Sequence, residues 1–223
     1  MNRKIIFAPG EFYHIYSRGV EKRKIFLDEI DRKRFLALMF FCNDTKKVVM
    51  RDIFNKDFSF RKFKDHKRKT VVDIGVYCLM PNHFHFLIRE KIDNGISIFM
   101  QRLLTAYTMY FNKKNERNGP LFSSRFQAHH ADSDEYLKHL YSYIHTNPVK
   151  IFQHDWKDVG INDMNEAKIF LNKYTYSSYI DYIGIEREQA NILNTSVFPE
   201  YFEMTTIFSK MIEDSINYYN TYL

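Results

Sequence analysis

Hydrophobic and polar positions along this chain follow two periods, and together they predict its elements. Phe12 to Ser17 reads as a strand. Asp28 is placed to cap a helix on which Phe35, Leu38, Met39 and Cys42 fall at i, i+3, i+4 and i+7. Val71 to Leu79 predicts a second strand, Met80-Pro81-Asn82 a turn, and His83 to Arg89 its hairpin partner. Ser97 is the expected cap of the next helix, whose Met100, Leu103, Leu104, Tyr107 and Phe111 line one face until Asn118-Gly119-Pro120 breaks it. Arg125 to Ala131 predicts a short strand. Asp132 followed by Glu135 is a helix-start signature for a segment carrying Leu137, Leu140, Tyr141 and Ile144 at helical spacing. Pro148 disfavours helix in the residue before it, so that helix should end near Asn147.

The order βαββαβ plus one helix predicts an α+β fold: a ferredoxin-like antiparallel sheet with helices on one face and a further helix after the last strand. Helical patterns around Asp163 to Lys173 and Thr205 to Tyr222 predict a helical C-terminal extension. The expected organisation is a domain over residues 1–150 and an extension over 151–223. With 223 residues, 45% of them hydrophobic and 17% aromatic, the chain can bury a proper core. No apolar run is long enough to span a bilayer, and the opening Met1-Asn2-Arg3-Lys4-Ile5-Ile6 lacks a signal-peptide core, so no membrane partner is expected. Cys42 and Cys78 have no metal-binding spacing; both are expected to pack as small hydrophobes in a reducing cytoplasm.

The net charge is +6, and its location matters more than its size. Between Lys46 and Lys69, ten Lys and Arg residues face three Asp, so this segment alone holds more net positive charge than the whole chain. Phe54, Phe58, Phe60 and Phe63 interleave with the bases. Cations for phosphates and rings for unpaired bases make this insert, about residues 44–69, a candidate nucleic-acid surface, with Lys62, Lys64, Lys67 and Arg68 as contacts. The competing reading is a solvated charged loop.

The densest chemistry lies at His83-Phe84-His85. In a strand, successive side chains alternate faces, so both imidazoles project to one side while Phe84, Phe86 and Ile88 anchor the other. Two neutral imidazoles so placed can chelate a divalent metal. On the helix before Pro148, Tyr143 and Asn147 form an i, i+4 pair that sets a phenol one turn from an amide oxygen. Tyr107, Tyr110 and Tyr141 sit among apolar neighbours, which favours packing roles. His129 and His130 are adjacent on a strand and face opposite ways, and His145 is expected to meet solvent or nucleic acid. Arg18 and Arg125 are candidate phosphate contacts.

His-Phe-His on a strand followed by Tyr143-Ile144-x-x-Asn147-Pro148 on a helix resembles the HUH-type single-strand DNA transposases with one catalytic tyrosine, most closely the REP-associated tyrosine transposases. The likeness runs from about Tyr13 to Lys150. It includes Tyr13-His14-Ile15-Tyr16-Ser17-Arg18-Gly19, Met80-Pro81-Asn82-His83-Phe84-His85, Tyr107-Thr108-x-Tyr110-Phe111-Asn112 and Gly119-Pro120-Leu121-Phe122 with Arg125-Phe126. Tyr176-Ser177-Ser178-Tyr179 matches the serine pair that follows the core in that branch. The resemblance implies that His83, His85 and Asn147 hold Mg²⁺ or Mn²⁺, and that Tyr143 attacks phosphorus to give a 5′-phosphotyrosyl link and a free 3′-OH. Its implied partner is single-stranded or hairpin DNA, and a homodimer is compatible with it. The alternative is a DNA- or RNA-hairpin-binding regulatory module with the same fold and little or no catalysis. A His-x-His metallohydrolase barrel is disfavoured, because it needs roughly 250 residues and further ligands on later strands. The chain departs from the family pattern at Ser17, at Lys150-Ile151-Phe152 and in the basic insert, all outside the four proposed site residues.

Overall fold

The computed structural model describes residues 5–46, 59–202 and 206–222. Its centre is a sheet of β1 (Phe12–Arg18), β2 (Val72–Met80), β3 (His83–Glu90) and β4 (Gln127–His130) in the order β2-β3-β1-β4, every neighbouring pair antiparallel. Helix α1 (Glu29–Cys42) crosses from β1 towards β2, and α3 (Gly95–Lys114) from β3 to β4. Together they give the expected α+β, ferredoxin-like order. The short α2 (Lys62–Asp65) precedes β2, and α4 (Asp134–Thr146) follows β4. Strand β4 is shorter than predicted: its flanks Phe126 and Ala131 are buried, and Ala131 keeps only one bond to β1, donating to the Phe12 carbonyl at 2.9 Å.

Strand alternation divides the molecule into two cores. Tyr13, Ile15, Phe84, Phe86 and Ile88 face α1 and α3, where the Phe35 ring lies 5.3 Å from Phe84 and 4.8 Å from Tyr107. Asp28 caps α1 as expected, accepting from the Asp31 amide at 2.9 Å. Ser97 does not cap α3. The buried Glu90 carboxylate, at the end of β3, accepts from the Ile96 amide at 2.7 Å and meets the positive end of the helix. Gly95 is required there, since a Cβ would sit 2.2 Å from the Val71 carbonyl oxygen. Similarly Ser133, not Asp132, caps α4, accepting from the Tyr136 amide at 3.2 Å.

Val76, Cys78, Met80 and Leu87 face the opposite way, towards Leu137, Leu140, Tyr141 and Ile144 of α4. A bulge between Ile74 and Val76 shifts the β2 register, which is why residues two apart serve different cores. The extension contributes α5 (Val149–Phe152), α6 (Trp156–Val159), α7 (Met164–Lys173), α8 (Tyr179–Tyr182) and α9 (Ile207–Tyr222). Its Trp156, Leu171, Tyr179, Phe198 and Met211 complete the second core. It also pairs with the free edge of β2: the Leu79 amide donates to the Tyr176 carbonyl and the Tyr77 amide to Ser178 Oγ, each at 2.9 Å. A boundary at residue 150 therefore separates no two cores; the extension covers one face and one edge of the sheet.

The described part of the basic insert belongs to the first core, across the sheet from α4. Phe63 is buried and stacked on Phe40 at 3.9 Å, so it presents no ring to a base, and Phe60 is partly buried against it. Arg68 lies 3.8 Å over the Phe40 ring and donates to the carbonyls of Phe40 (3.0 Å) and Asn191 (2.6 Å). The fold uses that guanidinium as a tie between α1 and the extension. Lys64 pairs with Glu188 at 3.3 Å, Lys67 is exposed, and Lys62 opens α2. Phe54 and Phe58 lie outside the described residues. Arg68→Met should therefore lower unfolding free energy by about 1–3 kcal/mol, read from urea titration, while DNA affinity of the folded protein changes less than twofold. A large affinity loss at unchanged stability would restore a direct DNA role.

Candidate active site

On the face shared with α4, the register sets Tyr16 opposite His85 and Arg18 opposite His83, while β4 brings His129 opposite His14. Helix α4 lies across this surface because Leu137, Leu140 and Ile144 bury its apolar side, which turns Tyr143 towards the strands. The Tyr143 ring meets His85 edge-on at 5.3 Å and His14 at 5.9 Å. Asn147, one turn on, lines the same cavity as Tyr143 and His83, and its Nδ2 donates back to the Tyr143 backbone carbonyl at 3.4 Å. These groups line a cavity of about 710 Å³, with Arg18 and Lys150 as exposed cations at its wall.

The hydrogen bonds around the histidines suit metal ligation. His83 Nδ1 donates to Asn82 Oδ1 at 2.6 Å, and His85 Nδ1 faces His14 Nε2 at 2.8 Å. With Nδ1 engaged, Nε2 is the nitrogen left to each ring for a metal, the arrangement in which an outer partner orients an imidazole ligand. Burial is the main cause that lowers the pKa of His83 to about 4 and that of His85 well below 6.5, so both are neutral at pH 7. Among the described residues no three His, Cys, Asp or Glu are placed to hold a metal, so the Asn147 amide is what would complete a three-ligand set with the two imidazoles. That set fits a divalent cation, and its nitrogens suit Mn²⁺ better than Mg²⁺. Burial raises the pKa of Tyr143, with the Asn147 contact opposing the shift.

The family whose sequence model is described as "Transposase IS200 like" matches residues 12–147, a span that holds every one of these groups except Lys150. The chain belongs to the IS200-like transposase family. The resemblance read from its motifs is thereby borne out. One solved structure, described as that of a REP-associated tyrosine transposase bound to a REP hairpin, aligns over 91% of this chain and 99% of its own at 14% identity, with a TM-score of 0.49. Family membership rests on the sequence match alone. No curated protein sequence matches the chain. Among the described residues no helix is long and apolar enough to cross a membrane.

Within this transposase the rival tyrosines are placed elsewhere. Tyr107 is buried in the first core and donates to the Ile25 carbonyl at 2.5 Å; Tyr110 donates to Asp31 at 2.9 Å. Tyr141 is buried against Tyr182 and Tyr201. His145 does not meet solvent: it is fully buried, 2.8 Å from Ser178 Oγ, because the extension covers that side of α4. Arg125 is exposed and outside the cavity, whereas Arg18 lines it. Sequence reasoning missed His14, Tyr16 and His129 as cavity walls. The period of β1 puts His14, Tyr16 and Arg18 on one face, but only the pairing with β3 reveals that it is the face of His83.

Burial of neutral histidines makes the transposase acid-sensitive. His14 (about 3), His83 (about 4) and His145 (about 3) have folded pKa values below the unfolded 6.5, chiefly through desolvation. Below pH 6.5 the unfolded chain gains protons that the fold refuses, so stability is full above 6.5 and falls as pH drops from 6.5 towards 4. Each such histidine adds up to about 1.4 kcal/mol per pH unit in that window. Metal-free urea midpoints should fall steadily between pH 7 and 4.5; a flat profile would contradict neutral burial.

Proposed function

We propose that this transposase nicks and rejoins single-stranded DNA, at hairpin or repeat sequences, through a 5′-phosphotyrosine at Tyr143. The observation that carries the reading is the meeting of Tyr143 with His83, His85 and Asn147 in one cationic cavity. A phosphodiester resists attack because its charged oxygens repel nucleophiles, so the site needs cations near phosphate and an aligned attacker. Arg18 and Lys150 attract and seat the strand. His83, His85 and Asn147 would hold Mn²⁺ or Mg²⁺, which when bound supplies Lewis-acid charge for the non-bridging oxygen.

Tyr143 Oη, losing its proton to solvent, forms the bond to phosphorus as the bond to the 3′ oxygen breaks, and that oxygen takes up a proton. The ester is conserved, so a 3′-OH on another strand can reverse the step without ATP. Neighbouring His85 and His14 hold the phenol ring at the cavity wall, and the neutral imidazoles add no competing charge.

Tyr143→Phe keeps the packed ring and should abolish the covalent adduct seen on denaturing gels with a labelled single-stranded hairpin and Mn²⁺. His83→Ala and His85→Ala should each lose at least about 100-fold in cleavage while hairpin binding survives, since affinity comes from dispersed Lys and Arg. Normal cleavage by both histidine variants would remove the metal site. Absence of any wild-type adduct across a panel of hairpins would favour a binding module without catalysis.

A further inference from the structure

Trp156, the chain's sole tryptophan, is fully buried in the second core. Its burial fixes the one-turn helix α6 and, with it, the direction of the next side chain. Lys157 Nζ lies 4.4 Å from the centroid of the Tyr143 ring and 5.6 Å from that of Trp156. A cation at that distance over a ring face is attracted by the ring quadrupole. The contacts on the same ring from His85 and His14 are edge-on, at 84° and 77°. Tyr143 is therefore held by rings from β3 and β1 and by an ammonium from α6. That helix lies beyond residue 147, where the family match ends. Lys157 is half-buried and does not line the cavity, in contrast to Arg18 and Lys150.

We propose that Lys157 is a positioning residue for Tyr143: the extension supplies an ammonium that fixes the orientation of the phenol ring for attack on phosphorus. The inference rests on Tyr143 being the nucleophile. In-line displacement tolerates little misplacement of the attacking oxygen, and a ring free to rotate about its side-chain torsions spends much of its time out of line. An ammonium over one face favours the orientation in which that face is covered, and it also lies close to the negative charge that develops on the phenol oxygen. Burial, with like charge on Lys150, lowers the Lys157 pKa to about 8, so it remains cationic at neutral pH. Because it contacts the ring from outside the cavity, Lys157 should affect the rate of attack and not the binding of DNA.

The test compares Lys157→Met, which keeps the stem and removes the charge, with Lys157→Arg, which keeps a cation. In single-turnover adduct formation with saturating labelled hairpin and Mn²⁺ at pH 7, the methionine variant should be slower by roughly tenfold or more and the arginine variant within about threefold of wild type. Hairpin Kd should stay within about twofold for both. A second readout needs neither DNA nor metal: in protein labelled with 3-fluorotyrosine, the Tyr143 resonance is identified by its loss in Tyr143→Phe. It should shift or broaden in Lys157→Met and return in Lys157→Arg. Unchanged rate and resonance in Lys157→Met would overturn the proposal. A rate loss matched by an equal loss of affinity would also overturn it, making Lys157 a phosphate contact. An adduct persisting in Tyr143→Phe would instead refute the nucleophile, and with it any role for Lys157 in the reaction.

Discussion

The alternation of β3 is the constraint on which the rest of the molecule depends. One pleated segment sends Phe84, Phe86 and Ile88 into the first core and His83, His85 and Leu87 to the other side. The aromatic side is anchored by α1 and α3 and leaves the strand no freedom to slip. A shift of one residue would put two imidazoles into a phenylalanine core and two phenyl rings into the cavity. Register, fold and candidate chemistry are thus the same fact seen from two faces of the sheet.

Desolvation does the complementary work on the site side. It keeps His14, His83 and His85 uncharged, while the cations Arg18 and Lys150 remain exposed at the cavity wall. A polyanion meets positive charge on the way in and lone pairs at the floor. The order of elements accounts for this gradient: the floor belongs to the sheet, and Lys150 follows α4, where the chain leaves the sheet for the extension.

Much of this was legible in the sequence because it is local. Strand alternation gave the common face of His83 and His85, and helical spacing gave that of Tyr143 and Asn147. The cap of α1 by Asp28 follows from one residue and its neighbour three positions on. What escaped depends on contacts distant in sequence. Nothing near Arg68 announces that Phe40 and Asn191 will claim its guanidinium, and nothing near His145 announces Ser178. The cap of α3 comes from Glu90, in the preceding strand, so the nearer Ser97 was the natural but incorrect choice. His14 carries no motif of its own; it becomes part of the site only through the β1–β3 pairing.

The extension's pairing with the free edge of β2 has a consequence for the order of assembly. Met80 and Leu87, close neighbours of the histidine strand's chemistry, belong to a core that includes residues as late as Met211 and Ile212. A nascent chain that has emerged only through Pro148 already carries His83, His85, Tyr143 and Asn147, yet lacks the residues that cover α4 on the sides the sheet does not. During synthesis these groups are therefore present before the second core can close, and their alignment waits on residues well beyond the span that the family shares.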